Sequence, residues 1–168
     1  MEASELRALQ APLKEKYKSD PKEAEWILHA EGNLGEDIAC TVETDAGEVE
    51  EGLHPATGGD GSHACSGDML LEALVACAGV TLKSVATAMG IEIENGIVNA
   101  EGVLDFKGTL GVSRDAPVGF KEIRLNFDLD TKADSKKVEK LIELTERYCV
   151  IYQTLKNSPE LKSSVSTG

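Results

Sequence analysis

Hydrophobic and polar positions follow different periods along the chain. Ser4 to Lys18, rich in Leu, Glu, Lys and Ala, predicts an amphipathic helix, interrupted or begun at Pro12 and ended by Ser19-Asp20-Pro21. From Trp26 the period drops to two. Trp26, Leu28 and Ala30 alternate with Ile27, His29 and Glu31, and Ile38, Cys40 and Val42 alternate with Thr41 and Glu43. A turn at Asp45-Ala46-Gly47 leads into a third segment, Glu48 to Leu53. Alternation flanked by Gly-bearing turns predicts an antiparallel meander with one wet face.

His54 to Gly67 is a Gly-rich crossover loop. Ser66 is the expected N-cap of a helix over Asp68–Met89, with Gly90 as its C′ residue. From Met69 to Val80 this helix is apolar on every side except at Glu72. A helix without a polar face must be wrapped by protein. One small sheet covers one side only, so a second sheet or a partner subunit is required. The second sheet is predicted from Ile91–Glu94, Ile97–Phe106 and Lys121–Asp130. In the last of these Ile123, Leu125, Phe127 and Leu129 alternate with polar residues. A final helix runs from a cap near Asp134 or Ser135 to about Lys156, and residues 157–168 read as a flexible polar tail. The order strands, helix, strands, helix is that of one α+β domain over residues 1–168, with 1–22 as a helical extension.

Composition narrows the partners. The 168 residues carry a net charge of −13, and between Glu23 and Leu82 there are 13 acidic residues and no Lys or Arg. Nucleic acid and anionic membrane both reward basic clusters, so neither is an expected partner. The longest apolar run, Ala73–Leu82, is shorter than the roughly 20 residues a bilayer requires, and no secretion signal is seen, so the cytoplasm is expected. Four cysteines in a reducing compartment read as core residues, metal ligands or redox catalysts rather than a disulfide framework.

Cys77 lies in the apolar helix and Cys149 on the apolar face of the last one, 72 positions away. One reading is a thiol pair in which a thiolate attacks and the second thiol resolves. The other treats each as a small buried hydrophobe, which residue type and spacing alone favour. His54, His63, Cys65 and Cys40 offer metal-binding atoms, but no Cys-x-x-Cys or His-x-x-x-His pair accompanies them, and no metal or cofactor is expected. The Gly58-Gly59-Asp60-Gly61 run lacks the context of a phosphate loop.

The stretch Ser66-Gly67-Asp68-Met69-Leu70-Leu71-Glu72-Ala73-Leu74-Val75-Ala76-Cys77 resembles the cysteine-bearing central helix of the OsmC/Ohr family of osmotically inducible and organic hydroperoxide resistance proteins. Arg147-Tyr148-Cys149-Val150-Ile151-Tyr152 resembles that family's second motif, usually Cys-Pro followed by a short helix. The likeness covers roughly residues 23 to 157 and implies an intertwined homodimer with two antiparallel sheets around buried central helices. It further implies reduction of organic hydroperoxides, with Cys77 peroxidatic, Cys149 resolving, Asp68 at the position of a family Glu, and a dithiol such as a lipoyl protein as reductant.

Two departures accompany the likeness. The family's Arg from the N-terminal sheet region has no counterpart here, and Val150 stands in place of the Pro. Burial raises a thiol's pKa, so Cys77 needs some other stabilising group; Arg147, Lys83, Arg114 and Arg7 are the basic residues to consider. Asp68 lies nine residues before Cys77, on the opposite side of the helix at about 100° per residue, where favourable charge at a helix start is its ordinary role. The expectation is therefore a thiol peroxidase. The alternative is a catalytically impaired relative that binds a small hydrophobic or thiol-reactive ligand.

Overall fold

A computed structural model describes residues 1–167. The chain runs α1 (Ala3–Ser19), a 3₁₀ turn at Pro21–Ala24, β1 (Gly32–Leu34), β2 (Ala39–Thr44), β3 (Gly47–Gly52), a 3₁₀ turn at Pro55–Thr57, and α2 (Ser66–Met89). It continues with β4 (Asn95–Val103), α3 (Phe106–Thr109), β5 (Glu122–Asp130), α4 (Ser135–Tyr148) and α5 (Val150–Lys156). The fold is α+β with two antiparallel sheets, β1-β2-β3 and β4-β5.

The body is built on α2. Leu74, Ala78, Leu82 and Ala86 recur every four residues and form one buried stripe, as the helical repeat dictates. Ile123, Leu125, Phe127 and Leu129 of β5, with Val98 and Ala100 of β4, cover its N- and C-terminal halves, and Leu141 of α4 closes the second half. β4 and β5 pair from Asn95↔Asp130 to Val103↔Glu122, and their outer face is polar: Arg124 reaches Glu101 at 3.3 Å and Glu122 at 2.7 Å, and Asn126 donates to Asn99. Gly90 ends α2 at φ +66, a left-handed conformation that glycine adopts without a Cβ clash.

The second sheet covers only one side of α2. α1, α4 and α5 cover part of the rest, and a strip stays open: Val80 is 73% exposed. α2 is 24 residues and, by length and composition, long and apolar enough to cross a bilayer. The expectation drawn from the shorter Ala73–Leu82 run overlooked this, because Ser66–Leu71 and Lys83–Met89 extend the helix in the same apolar register. In the fold it is the central element against which β4, α4 and α5 pack.

The N-terminal meander projects from that body. Within it β2 pairs with β1 (Leu34↔Cys40) and β3 (Thr44↔Gly47). Its link to the body is the crossover loop, where Ala64 pairs with Glu51, the His54 ring stacks on Phe106 at 5.0 Å, and Glu51 caps the Ser66 N–H at 3.2 Å. Gly59 passes so close to the Leu53 carbonyl that any side chain there would collide with it.

Several expected elements differ. Trp26–Glu31 is not a strand: these residues are exposed and carry no regular structure, the Glu31 carbonyl accepting the Glu43 N–H at 3.3 Å where the first strand is about to begin at Gly32. Alternation marks a half-buried strand only where a sheet is there to receive it. Ile91–Glu94 is an irregular connection and α2 takes Cys65, not Ser66, as its N-cap. Pro12 lies inside one continuous α1. The final helix is two helices broken at Cys149, whose ψ of 112° is extended. Of the polar tail, residues 158–167 carry no helix or strand, and Gly168 lies outside the described residues.

Candidate functional site

The break at Cys149 places one cysteine against the other. Cys149 ends α4 by donating its N–H to the Thr145 carbonyl at 2.9 Å, and begins α5 by accepting the Tyr152 N–H on Sγ at 3.5 Å. Its neighbour Thr145 satisfies its hydroxyl on the Leu141 carbonyl at 2.8 Å, so this corner holds no orphan polar group. Cys149 is fully buried, packed with Leu74 and Ala78 of α2. Cys77 lies at the edge of that stripe, half-buried, in the same cluster with Ile151 and Tyr152 of α5.

The two thiols have opposite electrostatic fates. Burial pushes Cys77 up, but the Ile151 N–H, the Cys149 thiol, the Val150 N–H and the Thr81 hydroxyl all act on its sulfur and together hold its pKa below the ordinary value. Burial pushes Cys149 up as well, and here it prevails: the Tyr152 N–H favours the thiolate, but donation to Cys77 keeps the proton on Cys149. Of the two, Cys77 is the one that favours the thiolate and Cys149 the one that keeps its proton. The groups acting most strongly on Cys77 are neutral. Stabilisation of a thiolate by hydrogen-bond donors is the same physics that lowers a carboxylate's pKa.

The basic residues considered from the sequence lie elsewhere. Arg147 is exposed, over the Tyr148 ring at 5.4 Å, and Lys83, Arg114 and Arg7 are exposed on α2, on the loop before β5 and on α1. Sequence reasoning sought a cation and missed the backbone. Val150 retains the N–H that a proline would lack, and Thr81, four residues after Cys77, shares its helix face. That second signal was legible as spacing. The first was legible only as a departure.

Asp68 is exposed in the first turn of α2. Nine residues of helix set it about 13 Å along the axis from Cys77 and on the opposite face, so the chain does not bring it to the thiol pair. It stands where the helix dipole favours negative charge.

The histidines have other roles. His54 Nδ1 accepts the Ala56 N–H at 3.0 Å, and His63 Nε2 stands 3.5 Å from Glu50 Oε1 while its Nδ1 contacts Ser62 Oγ. Cys65 stands at the N-cap position of α2 without a side-chain hydrogen bond, and Cys40 lies in β2. Among the described residues no three His, Cys, Asp or Glu side chains gather as a metal site needs.

Two cavities flank the cluster. One, of about 600 Å³, lies between α2, β5 and α5, with Leu70, Leu74, Phe120 and Tyr152 in its wall. The other, of about 620 Å³, lies between α1, α2 and α4 and includes Thr81. Both are within the range of small-molecule sites.

The family model for OsmC-like proteins matches residues 59–164. No match is found among curated protein sequences. Among solved structures, the chain is similar to an OsmC-like protein from Mycoplasma pneumoniae, with 20% identity and TM-score 0.68 over 80% of this chain and 90% of that one. It is also similar to an organic hydroperoxide resistance protein from Elizabethkingia anophelis (17% identity, TM-score 0.64, 80% and 91% covered). A third is the organic hydroperoxide resistance protein OhrB of Bacillus subtilis (18% identity, TM-score 0.55, 79% and 93% covered). At these identities the structures speak for the fold alone, but the family model spans more than half of the sequence and contains both Cys77 and Cys149, and the chain belongs to the OsmC-like protein family.

Proposed function

We propose that the protein is a thiol peroxidase for organic hydroperoxides. The observation that carries this reading is the packing of Cys77 in one cluster with the fully buried Cys149, the first held below and the second above its ordinary pKa. The Cys77 thiolate attacks the distal oxygen of the hydroperoxide, the O–O bond breaks, and the alkoxide leaves as alcohol with a proton. Cys77 is then a sulfenic acid. Cys149 condenses with it, losing its proton, to give a disulfide and water. A dithiol such as a lipoyl protein reduces the disulfide by exchange and is itself oxidised.

The working unit in this reading is a homodimer. A compact monomer of this mass exposes about 8,000 Å², whereas this chain exposes 12,773 Å². The excess is apolar in the places that matter: Trp26, Ile27, Leu28, Leu34 and Ile38 on the projecting arm, and Val80 on the uncovered side of α2. Patches of this kind mark association surfaces, and a second copy supplies both the missing cover of α2 and a body for the arm. The cytoplasm, where the reduced thiols persist, is the compartment this chemistry fits.

The test is turnover of cumene hydroperoxide with a dithiol, followed by disulfide mapping. Wild type is expected to consume peroxide and form a Cys77–Cys149 bridge; Cys77→Ser consumes none, and Cys149→Ser stops at a Cys77 sulfenic acid that dimedone traps. Absence of both consumption and bridge overturns the proposal. A second reading, a ligand-binding relative without turnover, draws on the neutral character of the groups around Cys77. It requires a Cys77 thiol whose measured pKa is ordinary or raised.

A further inference from the structure

We propose that Gln153 is the positioning residue that holds the α4–α5 break at Cys149: its carboxamide takes the place on the Glu146 carbonyl that the Val150 N–H would fill in a continuous helix. Nothing local demands the break. Between Ser135 and Lys156 there is no Gly or Pro, and the apolar face runs through without interruption. A helix that bends sharply without either residue has a side chain or a water inserted into its i→i−4 ladder. Here a side chain is inserted. Gln153 Nε2 donates to the Glu146 carbonyl at 2.8 Å, seven residues back and across the break.

The exchange of partners is specific. In an unbroken helix Val150 would donate to Glu146 and Ile151 to Arg147. Among the described residues neither does so, and Cys149 carries an extended ψ of 112° instead. The Glu146 carbonyl, otherwise an orphan at the end of α4, is satisfied by Gln153. The Val150 and Ile151 N–H groups are thereby released, and they are the two backbone donors that act on the Cys77 sulfur.

Gln153 is itself fixed at every polar group. Its N–H donates to the Cys149 carbonyl at 3.0 Å, its carbonyl accepts the Asn157 N–H at 2.9 Å, and its Oε1 accepts from Asn157 Nδ2 at 3.1 Å. With Oε1 taken, Nε2 is the atom left to face Glu146. Burial and then the Glu146 carboxylate raise the pKa of the Tyr152 phenol, so a second α5 side chain stands beside the same residue. All of these groups belong to one corner of one chain, and no partner subunit is needed to assemble them.

A proline after Cys149 would impose the break unaided, because it has no N–H for Glu146 and drives the residue before it out of the helical region. Val150 does neither, and the task passes to Gln153. This role in the geometry of the thiols is independent of the peroxidase reading; its consequence for turnover rests on that reading.

Gln153→Met keeps the length of the side chain and removes the donor. Alkylation of the full chain, followed site by site by mass spectrometry across pH, is expected to show the Cys77 midpoint raised by about half to one unit, roughly a three- to tenfold loss of thiolate below both midpoints. In a Val150→Pro background, where the break no longer depends on Gln153, the same substitution should hardly move the midpoint. Asn157→Ala frees Oε1 without touching the donor and should shift it the same way by less; it is the deciding variant if Gln153→Met does not fold. An unmoved Cys77 midpoint in the deciding variant, or a rise as large in the Val150→Pro background as in wild type, would overturn the proposal. With cumene hydroperoxide and a dithiol, Gln153→Met is expected to lose kcat/KM about three- to tenfold at low pH and to approach wild type as pH rises. A loss of equal size at every pH would mean a weakened fold and would also overturn it. If the alkylation shifts appear and wild type consumes no hydroperoxide, the peroxidase reading fails while the role of Gln153 stands.

Discussion

The body and the N-terminal arm are made of the same kinds of residue in the same alternating patterns, yet one is packed and the other is bare. In β5, Ile123, Leu125, Phe127 and Leu129 face α2 and are covered. On the arm, Leu34 is 91% exposed and Ile38 71%. Both sheets satisfy their backbone ladders, so hydrogen bonding does not distinguish them. What differs is whether a helix lies against the apolar face. The arm has the register of a half-buried sheet without the other half, which in the proposed homodimer a second copy supplies.

The largest effect should come from the body. Leu141, fully buried against Leu82 and Ile91, is expected to lose about 2–5 kcal/mol on truncation to Ala, read from urea unfolding at fixed protein concentration. A loss below about 1 kcal/mol would mean that the body is not the packed region described. Leu34→Ala offers the contrast. In a chain held as monomer it should change stability hardly at all, whereas the concentration at which dimers dissociate should rise about tenfold or more if a partner buries it. Sedimentation of Leu34→Ala and Ile38→Asp beside wild type measures this, and unchanged association in both would remove the partner from the account.

Trp26 sharpens the same contrast at one residue. It is the only tryptophan and 76% exposed on the arm. Its emission should move to shorter wavelength as protein concentration rises through dimerisation; emission typical of solvated indole at every concentration would leave the arm free.

A smaller effect tests the thiol pair. Cys77, held below its ordinary pKa by fold-dependent donors, should alkylate with a midpoint below that of the same thiol in the denatured chain, and Cys149 with a midpoint above its own denatured value. The sign follows from linkage: a thiol lowered in the folded state adds stability above its unfolded pKa, and that stability is lost as pH falls through the folded value. Val150→Pro removes one backbone donor from Cys77 and should raise the Cys77 midpoint by some tenths of a unit without altering that of a denatured control. A midpoint that does not move would assign the lowering to the remaining donors.

Much of this was legible beforehand for a physical reason. Helical and strand periods are local properties, and α2, β2, β3 and β5 lie within a residue or two of their predicted limits because each has a face that its own spacing defines. The misreadings share a cause. Trp26–Ala30 has the alternation of a strand yet joins no ladder, and the final helix has an uninterrupted apolar face yet breaks where Cys149 caps both α4 and α5. Pairing and capping are decisions of the surroundings. The site was legible in its residue types, Cys77 and Cys149, and in the spacing of Thr81, but not in its source of stabilisation. A search for charged side chains could not find N–H groups that only the α4–α5 break turns toward Cys77.

The amino-acid sequence by itself therefore determined the elements, the apolar faces that demand cover, and the two sulfur atoms separated by 72 residues. Tertiary structure decided which faces found cover within the chain and which thiol keeps its proton. The reason is the range of the forces: period and propensity act over a few neighbouring residues, whereas burial, hydrogen-bond donation and charge act through space and are set by whatever the fold brings near.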